Sequence, residues 1–172
     1  NDSVPIPLIN INKSKKLLKK NGYDENNPLE FEVITSANNS TRIYLAQIMQ
    51  YQLQKAGIKM NIRVMEWQAF LNTVIHPRHF ESVILGWSLA LMPSGRSIWH
   101  STSDKKGGFN FTGYSNKKVD KLIEEGEITV NRDKLGIIYK EIYKEIASDL
   151  PYLFLYIPNS ITAVNKNIQN VK

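Results

Sequence analysis

The sequence predicts an α/β fold, a mixed sheet with helices on both faces. Three observations carry that expectation: two stretches of strand-like alternation, one helix-length apolar stripe between them, and a short unbroken apolar run further on. In residues 29–35, Phe31 and Val33 alternate with Glu30 and Glu32, the period-2 pattern of a half-buried strand. Residues 41–56 then place Leu45, Ile48, Met49, Gln52, Leu53 and Ala56 on one face of a helix. Asn38, Asn39, Ser40 and Thr41 supply its caps, and Gly57 ends it. Residues 58–65 return as a strand through Ile58, Met60, Ile62 and Val64, and a crossover of that length implies parallel pairing with a right-handed connection. The run Val83-Ile84-Leu85 suits a strand buried on both faces at the centre of such a sheet.

The remaining elements follow from caps and breakers. Asn12 caps a short helix with Leu17 and Leu18 inward, and Gly22 supplies its left-handed exit. Residues 66–75 form a helix with Trp67, Phe70, Leu71 and Val74 on its apolar side, stopped by Pro77. After a long loop, residues 88–114, Ser115 or Asn116 caps a helix with Val119, Leu122 and Ile123 inward, closed by Gly126. Asn131 caps a longer helix through Leu135, Ile138, Tyr139, Ile142, Ile146 and Leu150, which Pro151 ends. Residues 152–157 and 161–164 read as strands flanking Pro158-Asn159-Ser160.

With 172 residues, 42% hydrophobic and 22% charged, the whole chain, residues 1–172, is expected to be a single α/β lobe. The net charge of +6 is interleaved with acids, as in Lys117 to Lys121 followed by Glu124, Glu125 and Glu127, so it reads as solvated helix faces and not as a nucleic-acid surface. The absence of cysteine excludes a disulfide scaffold and a thiolate metal site. No apolar run approaches the roughly 18 residues that a membrane-spanning helix needs. The opening residues, Asn1-Asp2-Ser3-Val4-Pro5, read as the middle of a longer chain, without signal peptide or lipobox cysteine.

For chemistry, Trp87 stands out because it follows the buried apolar run, at the end of a sheet strand where α/β folds place ligands. It serves either as a core or rim aromatic or as a wall facing ligand. Arg96, in the same loop, either grips a carboxylate as a fork or is simply solvated. Asn110 is expected to brace the loop, Tyr114 to pack under the next helix, and Trp99 and His100 to be structural. His76 and His79 straddle Pro77 without the spacing of a metal site, so no metal and no cofactor is expected. There is no GxSxG elbow and no cysteine nucleophile, and no GK[ST] follows Gly107-Gly108. No enzyme is expected.

The ordered series Gly86-Trp87, Pro93, Ile98-Trp99-His100-Ser101, Gly107-Gly108, Gly113-Tyr114-Ser115-Asn116 and Val119-Asp120-Lys121-Leu122 resembles the family 5 extracellular solute-binding proteins, the peptide-, nickel- and opine-type receptors of ABC importers. The likeness extends from Pro5-Ile6-Pro7, through Lys15 to Tyr23, to Asp149-Leu150-Pro151-Tyr152-Leu153-Phe154-Leu155-Tyr156. It implies one lobe of a type II periplasmic-binding-protein-like fold from the C-terminal half of a longer, two-lobed receptor. It further implies an extracytoplasmic protein, a cell-surface lipoprotein or a periplasmic one, that captures an oligopeptide or related solute for an ABC permease. The partners so implied are the solute, the permease and the missing N-terminal lobe, with no nucleic acid, and a membrane only through an anchor absent from this chain. The matching ligand positions are Gly86, Trp87, Ser88 and Leu89, whose main chain would pair with an extended ligand like an added strand, together with Ala90 and Arg96.

At two places the chain departs from the family. Ala90 stands where oligopeptide-binding members carry an Asp for the ligand's α-ammonium, and Met92-Pro93-Ser94 stands where another subgroup reads Asp-Pro-Asp. Without a substitute acid this lobe should not anchor a free amine. That leaves an amino-blocked peptide, a different solute, or an amine held by the other lobe. The alternative from another class is a protein-protein interaction module that keeps the lobe fold without binding solute.

Overall fold

The computed structural model describes residues 8–88, 94–159 and 163. Helix α1 is Ile11–Lys20, followed by strand β1, Glu30–Ser36, helix α2, Ser40–Gln54, and strand β2, Lys59–Met65. Helix α3, Trp67–Phe70, runs on without a break into a π-helical turn, Leu71–Ile75, and strand β3 is Ser82–Val83. Helices α4, Arg96–Trp99, α5, Lys117–Ile128, and α6, Arg132–Asp149, complete the order, with a 3₁₀ turn at Ser101–Ser103.

The three strands lie in the order β2-β1-β3, and both pairings are parallel. Alternation along β1 sorts the two faces as a period of two requires. Val33 packs with Ala46, Met60 and Ile84 beneath α2, whereas Ile34 packs with Phe70, Val74 and Ile75 beneath α3 and its π turn. A third apolar cluster belongs to the helices: Ile98 and Trp99 of α4, Val119 and Ile123 of α5, and Ile138, Ile142 and Ile146 of α6, with Tyr114. Helices therefore cover both faces of the sheet, as the patterning predicts.

Several boundaries move, each for a local reason. Asn10, not Asn12, caps α1 by accepting from Lys13 N, and Leu17 stays exposed because α1 buries no side chain. Gly126 does not close α5 but sits inside it, where a Cβ would come 3.6 Å from Ile138 and Leu135 of α6, so it serves close helix packing. Leu150 is the left-handed exit of α6 at φ 50° and is exposed, not inward. The predicted strand at 80–87 pairs only over Ser82–Val83, extended by Ile84 N donating to Ile34 O at 3.0 Å. The predicted strand at 152–157 forms no strand among the described residues: Leu153, Phe154, Leu155, Tyr156 and Ile157 are all exposed. The strand expected at 161–164 lies outside the described residues, Ala163 excepted.

The end of α6 carries a pH-sensitive clasp. Asp149 is an acid at a helix C-terminus, where the macrodipole disfavours negative charge. It is stabilised there by the Tyr114 hydroxyl, which donates at 2.7 Å, and by Asn116 Nδ2, which donates at 2.8 Å. The Tyr114 hydroxyl, then Asn116, hold its carboxyl below the usual range, while burial, then the facing Asp149, push the Tyr114 hydroxyl up. Because the folded state lowers the Asp149 pKa, its stabilising effect is present above the unfolded value near 4 and is lost as pH falls through the folded value. Asp149→Asn should flatten the acid limb of a plot of thermal midpoint against pH. Parallel curves for the two proteins below about pH 5 would contradict this.

Candidate functional site

The carboxyl edge of the sheet positions the site. Beyond β3, Thr35 Oγ1 donates to Ile84 O at 3.3 Å, so the chain stays beside β1 as far as Ile84 and then leaves as Gly86, Trp87 and Ser88, all three exposed. No backbone hydrogen bond to the N–H or C=O of these three residues occurs among the described residues. A parallel sheet presents its ligand crevice at this edge. The guanidinium of Arg42 reaches over Gly86 from the first turn of α2: a Cβ built at Gly86 would lie 2.8 Å from its Nη2.

Trp87 is fixed by a stack of rings. Its indole lies parallel to Phe111 at 5.7 Å and meets Phe109 edge-on at 5.8 Å, while Phe109 and Phe111 are themselves edge to face at 6.1 Å. Burial pushes the Tyr152 hydroxyl up, and a hydrogen bond with the Trp87 side chain partly offsets this. The indole therefore has one face covered by Phe111, remains 37% exposed and is not a core residue.

The two phenylalanines are held by the residue between them. Asn110, fully buried, accepts from Tyr114 N at 2.9 Å and donates to Tyr114 O at 2.8 Å and His100 O at 3.3 Å. His100 is tied in turn through Nδ1 to the Thr102 hydroxyl at 2.9 Å and lies 3.4 Å from Glu124. Asp120 of α5 accepts from Ser101 N and Oγ. Trp99 packs between Tyr114 and Tyr152. Asn110 braces the loop as expected, Tyr114 packs with Val119 and Ile123 of the next helix, and Trp99 and His100 are held within the same packing.

The sequence-predicted residues separate into three groups. Gly86, Trp87 and Ser88 sit together at the sheet edge. Leu89 and Ala90 lie outside the described residues, as do Met92 and Pro93. Arg96 is held elsewhere: its Nε and Nη2 grip the Glu127 carboxylate at 2.8–2.9 Å, and Ser94 Oγ adds a bond to the same group. The Glu127 partner raises the Arg96 pKa, and Arg96 holds Glu127 below the usual carboxylate range. The fork weighed for a carboxylate is thus already filled from within the chain. Arg42, Phe109, Phe111 and Tyr152 join the site without having been singled out for it. Only the Phe-Asn-Phe order around a bracing Asn hinted at the ring stack. Among the described residues, no three His, Cys, Asp or Glu side chains gather as a metal site would require.

Comparison with known proteins gives the family. The profile of the bacterial extracellular solute-binding proteins, family 5 (middle region), matches residues 1–109. The chain belongs to that family. Among curated relatives, the oligopeptide-binding protein AppA of Bacillus subtilis is 32% identical over 98% of this chain and 33% of its own length. The nickel-binding protein NikA of Staphylococcus aureus is 26% identical over 100% of this chain and 36% of its own. The chain thus spans about a third of the length of the curated relatives it matches. Among solved structures, Bacillus subtilis AppA in complex with a nonapeptide superposes with a TM-score of 0.81 at 31% identity, covering 92% of this chain and 34% of AppA. Staphylococcus aureus NikA in complex with Ni(L-His)2 superposes at 0.71 and 25% identity, covering 88% and 33%. The α/β lobe predicted from the sequence is a family 5 fold.

Proposed function

We propose that this family 5 chain is one lobe, residues 1–172, of a two-lobed extracytoplasmic receptor that captures an oligopeptide or related solute and delivers it to an ABC permease, without catalysing a reaction. The observation that carries this reading is the exposed main chain of Gly86, Trp87 and Ser88 at the carboxyl edge of the sheet, unpaired among the described residues and walled by the ring stack. Such an edge can add an extended ligand as a further strand, taking affinity from backbone bonds and tolerating varied side chains. The likeness to an oligopeptide-binding protein whose structure holds a nonapeptide supports a peptide over a metal complex. Closure of a second lobe over this edge would stabilise the bound state through contacts the open state lacks.

The test is native mass spectrometry of the full-length protein recovered from cells grown in peptide-rich medium. Peptide masses released on denaturation are expected. Recovery of nickel-bound protein in place of peptides, or protein that takes up no peptide after unfolding and refolding in a peptide digest, would overturn the reading.

A further inference from the structure

Arg42 is the least accounted-for charge at the sheet edge. It is half-buried in the first turn of α2, at the end of a helix whose macrodipole disfavours a cation, and no acidic residue shares that turn. Its backbone N–H is used, donating to Asn39 Oδ1 at 2.9 Å, but among the described residues its guanidinium has no carboxylate, no hydrogen bond and no ring partner. Arg63, Arg78 and Arg96 each have an acidic partner, Glu32, Asp104 and Glu127, whereas Arg132 is exposed to solvent at the start of α6. Of the residues outside the description, only Asp2 is acidic. The stem of Arg42 can pack while its guanidinium stays unpaired, and that fork matches a carboxylate.

Its position gives the charge a use. Nη2 lies 2.8 Å from where a Gly86 Cβ would be, so the guanidinium stands directly over the main chain that the proposed function assigns to ligand pairing. At the neighbouring strand end, Ser36 is fully buried and its hydroxyl has no hydrogen-bond partner, a rarity for a buried polar atom. By alternation Ser36 faces the α3 layer and Arg42 the α2 layer, so the two bracket the edge without touching. Both mark polar capacity unspent at this one place. The other arginine considered for the site, Arg96, is neutralised by Glu127. The edge is therefore biased toward an anion.

We infer that Arg42 is a carboxylate-receiving subsite beside Gly86, selecting peptide ligands by an acidic group, either the C-terminal carboxylate or an Asp or Glu side chain. This rests on the peptide-receptor reading, and its test separates the two. Three synthetic nonapeptide pools of otherwise equal composition serve as probes for the full-length protein: free C-terminal acids without Asp or Glu, the same peptides as C-terminal amides, and those amides with one Asp or Glu added. At least one acid-bearing pool is expected to bind about tenfold or more tightly than the uncharged amides. Which pool gains identifies the source of the carboxylate. Arg42→Gln is expected to level the three pools with the thermal midpoint unchanged, and Arg42→Lys, which keeps the charge without the fork, to retain part of the preference. Equal binding of all pools by the native protein, or a ranking that survives Arg42→Gln, overturns the subsite and leaves peptide capture standing. Failure of every pool to bind overturns both.

Discussion

Asn110→Leu should destabilise the chain by about 3 kcal/mol or more, lowering the thermal midpoint on the order of 6–12 °C. The side chain is fully buried and makes three bonds, from Tyr114 N to its oxygen and from its amide to Tyr114 O and His100 O. An isosteric apolar residue leaves Tyr114 N and Tyr114 O without partners, each costing about 1–3 kcal/mol, while His100 O keeps its bond from Ser103 N. Asn110→Asp should not rescue, because it turns the amide donor toward two carbonyl oxygens as a carboxylate. The effect should also reach the site. Phe109 and Phe111 flank Asn110 and carry the Trp87 ring, so tryptophan emission should shift toward that of a solvated indole. A loss below about 1 kcal/mol by chemical denaturation would show that the loop is held by something else.

The second large effect is on ligand. Trp87→Ala in the full-length receptor should weaken peptide binding roughly thirtyfold or more, the loss typical when a well-packed aromatic anchor is truncated. It should cost the fold less, about 1–3 kcal/mol, since the ring is 37% exposed and its packing consists of one stacked and one edge-on partner. Trp87→Phe keeps an aromatic wall but loses the indole N–H near Tyr152, and should fall between the two. Equal peptide affinity in native and Trp87→Ala receptors would remove the ring from the binding wall.

Much of the scaffold was legible because it is written in local patterns. The alternation of Phe31 and Val33 and the stripe from Leu45 to Leu53 predicted β1, α2 and their parallel return, and Asn39, Asn116 and Asn131 each cap where their position says they should. What failed was information that only neighbours supply. An apolar, aromatic run such as 152–157 has strand propensity, but pairing needs a partner edge, and none of the described strands lies beside it. Gly126 looked like a terminator because glycine usually is one, whereas here it lets α5 approach α6. At the site, the Gly86-Trp87 pair was found from its place after an apolar run. The charge was not: Arg96 drew attention because it lies in the loop, yet ion pairing across 31 residues to Glu127 cannot be read from spacing. Arg42 lies 44 positions before Gly86 on an ordinary helix start, and only the parallel crossover brings the two together.

The central claim is that the main chain from Gly86 to Ser88, with the Trp87 ring beside it, is the wall against which ligand lies. A crystal structure of the full-length receptor with a co-purified or added nonapeptide tests it most directly. The account predicts hydrogen bonds between that main chain and the peptide backbone, with Trp87 in van der Waals contact and Arg42 within reach of a peptide carboxylate. A peptide bound at another surface, with the tryptophan turned away from it, would contradict the account.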